Sequence, residues 1–436
     1  MDLTYTPADE AFRTRVGEFI ARHVPDGWRG WGALDRTAYA AWAEGWRDAL
    51  LETGWLAPAW PQAYGGGALS VSEHSILSEE LTKAGLPQSP RPSDGLGISL
   101  LGPTLLAWGT PQQKEHFLGR TLAGEIRWAQ GYSEPDAGSD LFGLRTRAVL
   151  DGDDWVIDGA KTWQTAGMYA NWIFLLARTD PASEKAKGLS FLLVPVDQPG
   201  VEVRPIKNMA GLTEFASFTF TGARTAASNL VGGENNGARV ALTLLGFERA
   251  AGGVSAAAAY AIELDRLIEL ARHHERNSDP VIRQRIAACW SKVQIIRFLG
   301  LRALSAGIGG QLPGPESSIV KMYGAEYHQE ITELAMDIAG MAGTAPGGAP
   351  AASSLGADPL GVDPLSTSSW STVFLLARAG TIYGGSSEIQ RNTIAEQILG
   401  LPREPRVPIP AGRCPGPRAH DPAEPQGGDH RSCSSD

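Results

Sequence analysis

Little in this 436-residue sequence supports a membrane protein, a disulfide framework or a Rossmann nucleotide fold. No run reaches the roughly 18 apolar residues that a bilayer-spanning helix requires. Only three cysteines occur, Cys289, Cys414 and Cys433, and their spacing suits neither a disulfide framework nor a zinc site. The opening MDLTYTPADEAFRTR has neither the basic nor the apolar region of a signal peptide. These absences point to a reducing cytoplasm. Positive charge is also in deficit, with 38 Lys and Arg against 48 Asp and Glu. The net charge of −10 argues against non-specific binding to nucleic acid or to an anionic membrane. No GxGxxG follows a strand, and no Walker loop or GxSxG elbow is present. His273 and His274 are adjacent, so on a helix they diverge, and no metal site is expected. There is no internal repeat.

What is present divides by hydrophobic period. To residue 127 the chain reads as helices broken by loops. In AFRTRVGEFIARHV, Phe12, Val16, Phe19 and Ile20 share one face. Gly54 is the expected stop of a second helix, and Ser70 or Ser72 the N-cap of a third. GLGISLLG, residues 95–102, reads as a helix-entry loop. From 128 to 234 the period changes to short β-like runs around turns such as Asp151-Gly152, as in a small barrel or sandwich. From 235 to 402 the helical period returns, interrupted by a Gly/Pro/Ala/Ser-rich connection at 341–365. Residues 403–436 cannot bury a core and read as a disordered tail. The fold class is therefore mainly α with a central β-domain.

Three segments carry a more specific message: WAQGYSEPDAGSDLFGLRTRA (128–148), DGAKTWQTAGMYANWIFLLART (158–179) and IYGGSSEIQRNTIAEQILG (382–400). In order and separation they resemble the flavin-binding segments of the acyl-CoA dehydrogenase family, and GWLAPAWPQAYGG near the start extends the likeness over nearly all of residues 1–402. The resemblance implies an N-terminal helical domain, a β-barrel or sandwich and a C-terminal four-helix bundle, with FAD between the last two. It implies flavin contacts from Gln130, Tyr132, Ser133, Ala137, Gly138, Ser139, Trp163 and Thr165, and from Gly385, Ser386 and Glu388. Donors in the 133–139 turn suit a ring that gains negative charge on reduction. Arg276 matches an arginine that reaches a neighbouring subunit's FAD, although Ser278, Asp279 and Pro280 depart from the family pattern there. Homo-oligomers, tetramers or dimers, are usual in such a family.

The sharpest departure lies at Gly384. Many relatives carry there the glutamate that removes the substrate's α-proton, and glycine cannot accept a proton. Glu248, in LLGFERAAGG (244–253), matches the helix position that supplies the base in isovaleryl-CoA-dehydrogenase-like relatives. The implied reaction is dehydrogenation of an acyl-CoA to a trans-2-enoyl-CoA. Glu248 acts as base, flavin N5 as hydride acceptor, and the Gly384 N–H as a donor to the thioester carbonyl. Ser139, Arg249 and Tyr383 are expected at the acyl-CoA, and an electron-transfer flavoprotein as the electron acceptor. A moved base suggests a branched or bulky acyl group. The YGG and FER combination also resembles actinobacterial-type relatives, some of which act on sterol side chains and pair with a related subunit in a hetero-oligomer. A flavin-dependent monooxygenase or oxidase on the same fold, and a non-catalytic partner subunit, are the competing readings.

Overall fold

The structure is a computed structural model that describes residues 5–28, 34, 36–250, 253–311, 314–344 and 367–403. Its N-terminal third is helical: α1 Pro7–His23, α2 Arg36–Glu52, α3 Val71–Lys83, α4 Gly102–Trp108 and α5 Pro111–Leu122. Three of these helices open on a capping box written in the sequence, Thr6 with Asp9, Ser70 with Glu73 and Thr110 with Gln113, so two otherwise orphaned amides are satisfied at each start. Phe12, Val16 and Phe19 face the core as the spacing predicts, and Gly54 ends the second helix at φ 73. The expected loop at 95–102 is instead a π-helical turn, Gly95–Leu101, that runs into α4. Its glycines serve close packing. A Cβ on Gly102 would stand 1.8 Å from the Trp60 ring, and one on Gly97 2.7 Å from Trp128.

The middle third contains β1 Trp128–Gly131, β2 Arg147–Asp151, β3 Asp154–Thr165, β4 Trp172–Arg178, β5 Leu189–Pro195, β6 Val201–Ile206, β7 Phe215–Ala226 and β8 Leu230–Val231. They form one sheet in the order β6-β7-β3-β2-β4-β5-β8, with β1 added parallel to β4. The sheet curls until non-neighbouring strands meet, and the Thr225 hydroxyl on β7 donates to the Leu193 carbonyl on β5 at 2.6 Å. Strands β4 and β5 are apolar at successive positions because both of their faces are covered. Phe174, Leu176, Phe191 and Leu193 join the N-terminal helical core. Ile173, Leu175, Leu192 and Val194 join the interior of the curled sheet.

The last third holds α6 Gly237–Ala250, α7 Gly253–His273, α8 Pro280–Ile308, α9 Ser317–Ala339, α10 Met341–Thr344, α11 Thr367–Gly380 and α12 Ser387–Thr393. Leu264 and Leu267 from α7, Cys289 and Val293 from α8, Tyr327 and Ile331 from α9, and Trp370 and Val373 from α11 build the core of a four-helix bundle. Helix α6 does not join that core. Its Val240, Ala241 and Leu244 pack into the N-terminal core instead. The connection at 341–365 falls outside the described residues from 345 on, as do Cys414, Cys433 and the tail from 404 on.

Inside the bundle, His328 Nε2 lies 3.0 Å from the buried Glu263 carboxylate. Burial works against a charged imidazole, but the Glu263 charge and hydrogen bond outweigh it and hold His328 above its ordinary pKa. A raised histidine pKa contributes stability that is complete below the unfolded value and is lost as pH rises through the folded one. The stability difference between the wild type and His328→Gln is therefore expected to be largest near the acid side of neutrality, about 2 kcal/mol for a charge-assisted bond. It should shrink steadily toward alkaline pH in urea titrations.

Candidate active site

The turn after β1 is organised by one buried ion pair. The Lys161 ammonium on β3, fully buried, donates to Glu134 at 2.8 Å and to the Tyr132 carbonyl at 3.2 Å. Glu134 also accepts the backbone amides of Arg145 at 2.6 Å and Thr146 at 2.9 Å. Burial opposes the charge on Glu134. The Lys161 ammonium and the donors from Thr146 and Arg145 outweigh that and hold the carboxyl below its usual range. Burial pushes Lys161 down to about 8, against the pull of Glu134. Around this pair, Glu134 and Ala137 exchange backbone hydrogen bonds at 3.0 and 3.1 Å. The Ser133 carbonyl accepts from the Thr162 amide at 3.0 Å and the Gln164 side chain at 3.2 Å. The expected flavin turn is thus bound to β3 on both sides. Sequence reasoning did not single out Lys161. The available signal was its place on the inward face of β3, two residues from Gly159 and four from buried Ile157.

Just beyond Lys161 the strand breaks its alternation. The register with β7 shifts between Lys161 and Gln164, Gln164 turns inward, and Trp163 adopts φ 64. A left-handed aromatic residue is costly and marks a site held by its surroundings. The indole is thrown outward, 56% exposed, with its edge against Phe215 at 5.7 Å between ring centres. Thr165 beside it is also exposed. An open aromatic face next to a hydroxyl and a constrained polar turn fits a planar, hydrogen-bonding ring such as a flavin. Gly138 and Ser139 are exposed on this turn, and Gln130 and Ser133 are half-buried. Tyr132 is buried edge-on to Phe174 and Phe191, within the core.

The second group lies between α11 and α12. Gly384 and Gly385 have consecutive positive φ angles of 64° and 87°. Lys321 on α9 donates to the Gly385 carbonyl at 2.5 Å, and Gln390 to the Gly384 carbonyl at 2.8 Å. Gln329 on α9 donates to the Thr381 hydroxyl at 2.9 Å. The Ser386 hydroxyl caps α12 by accepting the Ile389 amide at 3.3 Å. Tyr383 is exposed, as is Glu388, whose own backbone amide and the Ser386 hydroxyl hold its carboxyl below the usual range.

Arg276, in the turn between α7 and α8, pairs with Asp279 at 3.1 Å, and Asp279 also caps α8 through the Val281 and Ile282 amides. The arginine expected to reach a neighbour is therefore engaged within its own chain. Glu248 and Arg249 lie on α6, with Glu248 four residues beyond buried Leu244; their side chains fall outside the described residues. Among the described residues no helix is long and apolar enough to cross a membrane, and no cluster of His, Cys, Asp and Glu could hold a metal ion.

Three descriptions of one family match in order along the chain: "Acyl-CoA dehydrogenase, N-terminal domain" over residues 6–125, the middle domain over 129–223 and the C-terminal domain over 235–399. The chain is 40% identical to acyl-CoA dehydrogenase IpdE1 of Mycobacterium tuberculosis, over 91% of this chain and 98% of that one. Among solved structures it is similar to a steroid ACAD, Tcur3481-Tcur3483, with a TM-score of 0.75, 31% identity, and coverage of 93% of this chain and 100% of that one. It is also similar to the ChsE4-ChsE5 complex of Mycobacterium tuberculosis, with a TM-score of 0.73, 30% identity and the same coverage.

Replacing one member of a buried ion pair strands the other charge. Lys161→Met is expected to cost about 3–5 kcal/mol of stability, whereas Lys161→Met combined with Glu134→Leu should recover most of it. Urea unfolding of the two variants checks the difference.

Proposed function

The chain belongs to the acyl-CoA dehydrogenase family, FAD-dependent oxidoreductases of CH–CH bonds, and from that premise we propose that Glu248 is its α-proton base and a bulky, steroid-like acyl-CoA its substrate. The observation that carries this reading is Gly384. The position where many relatives hold the base offers only backbone, in a left-handed conformation that a glutamate would adopt at a cost of roughly 1–2 kcal/mol. Glu248 is the carboxylate that the α6 helix supplies instead. Anchoring of α6 in the N-terminal core through Val240, Ala241 and Leu244 gives that helix a fixed place. Moving the base to another element reshapes the acyl pocket, and the likeness to a structure described as a steroid ACAD supports a large ring-bearing acyl group.

FAD, when bound, supplies the acceptor for the β-hydride at its N5. Ser133, Ala137, Gly138, Ser139, Trp163, Thr165, Gly385, Ser386 and Glu388 are the residues that would hold it, with Gln130 and Tyr132 supporting the turn from β1. Glu248 takes the α-proton, and its basicity rises as the bound thioester excludes water. The Gly384 amide donates to the thioester oxygen as charge develops there. Arg249, Ser139 and Tyr383 are assigned to the acyl-CoA. Electrons leave to an electron-transfer flavoprotein. Arg276 is assigned to a neighbouring subunit's FAD once Asp279 releases it, and the two-component names of both similar structures support pairing with a related subunit rather than only with a second copy. The buried free thiol of Cys289, pushed up to about 11 by burial, suits a reducing cytoplasm.

Anaerobic titration of the purified flavoprotein with short, branched and steroid-like acyl-CoA thioesters tests the reading. The steroid-like thioester is expected to bleach the flavin, and Glu248→Gln to slow bleaching about 10²–10⁴-fold. Flavin that never bleaches yet reacts rapidly with oxygen once reduced overturns the dehydrogenase reading in favour of an oxygen-using enzyme. Absence of flavin from the chain expressed alone points to a missing partner.

A further inference from the structure

We infer that Lys321 is a positioning residue for the Gly384–Gly385 turn: it selects the conformation in which the amides of Gly384, Gly385 and Ser386 are left free to serve bound molecules. A Gly-Gly step has wide conformational freedom, so something outside it must choose one state. Three side chains grip residues 381–386, two of them from α9. Gln329 holds Thr381 at the entry, Gln390 holds the Gly384 carbonyl at 2.8 Å and reaches that of Gly385 at 3.3 Å, and Lys321 holds the Gly385 carbonyl at 2.5 Å. Of the three, only the lysine is charged, and charge-assisted bonds are about twice as strong as neutral ones.

The consequence follows from peptide geometry. There are no cis peptide bonds among the described residues, and in a trans peptide the C=O and the following N–H point in opposite directions. Tying the Gly384 carbonyl to Gln390 turns the Gly385 amide away from that side. Tying the Gly385 carbonyl to Lys321 does the same for the Ser386 amide. Among the described residues, the amides of Gly384, Gly385 and Ser386 donate no hydrogen bond, whereas those of Tyr383 and Ser387 on either side bond to the Ala379 and Thr381 carbonyls. The turn is also closed over Gln390, since a Cβ on Gly385 would stand 2.5 Å from its amide nitrogen.

Simple docking of α12 on α9 does not need Lys321. Arg391 and Glu326 already join the two helices at 2.5 Å, away from the glycines. What the lysine adds is control of the peptide plane between Gly385 and Ser386, whose carbonyl Gln390 reaches only at 3.3 Å. That this control serves the thioester and the flavin rests on the function proposed above; that it holds the turn does not.

Lys321→Met, Lys321→Arg and the control Glu326→Gln separate these roles in the full chain. Hydrogen exchange at the Tyr383 and Ser387 amides reads the turn without any ligand. FAD titration of apoprotein and the split between kcat and KM read its use. Lys321→Met is expected to speed exchange, weaken FAD binding and lower kcat by about tenfold or more each, with Lys321→Arg recovering most of each loss. Glu326→Gln should leave all three within about twofold, as an exposed ion pair does. Unchanged exchange in Lys321→Met overturns the inference, and so does faster exchange with FAD affinity and kcat unaltered. Should the wild type take up no FAD, a missing partner is indicated as above, and exchange alone decides whether Lys321 holds the turn. Lys321→Gln, read by the same criteria, replaces Lys321→Met if that variant does not fold.

Discussion

One ammonium group buried without any exposure to water, that of Lys161, underlies the turn that follows β1 in this molecule. Desolvating such a charge is expensive, and the structure tolerates it because Glu134 and the Tyr132 carbonyl surround it. Glu134 in turn is satisfied by two amides from the chain that enters β2. The 133–146 segment is therefore stitched to β3 through a centre that must be fully assembled or not formed at all. The left-handed Trp163, two residues beyond the lysine, is held in its strained state by the same strand.

Much of the fold was legible in the sequence because its signals are local. Capping boxes at Thr6, Ser70 and Thr110 mark helix starts, and the Asp151-Gly152 turn marks the β2–β3 hairpin. What escaped notice depends on distant partners. The glycines of residues 95–102 suggest a loop by composition, yet they lie in a helical segment because Trp60 and Trp128 press against their backbones. Lys161 and Lys321 look like two ordinary lysines, and only the topology shows that one is interred beside a carboxylate and the other rests on a glycine carbonyl.

The candidate site combines two kinds of order. On the β side, a charged pair and a strand bulge fix side chains outward. On the helical side, side chains from α9 and α12 hold the carbonyls of a glycine turn from behind. The absence of a carboxylate at Gly384 belongs to this second kind: a residue with no side chain offers only its backbone, in a left-handed conformation. Lys321, Gln329 and Gln390 behind the glycines give a physical reason for the composition of the 381–386 turn.

Helix α6 offers a different lesson. By chain order it opens the C-terminal third, but its buried residues belong to the N-terminal core together with Leu189 and Phe191 of β5. The seam between the two cores therefore falls between α6 and α7 rather than at the β-to-helix boundary. A chimera that borrows the bundle of a relative should be joined at that seam. Cut earlier, it would import a foreign α6 and sever the helix that carries Glu248 from the core it is packed against.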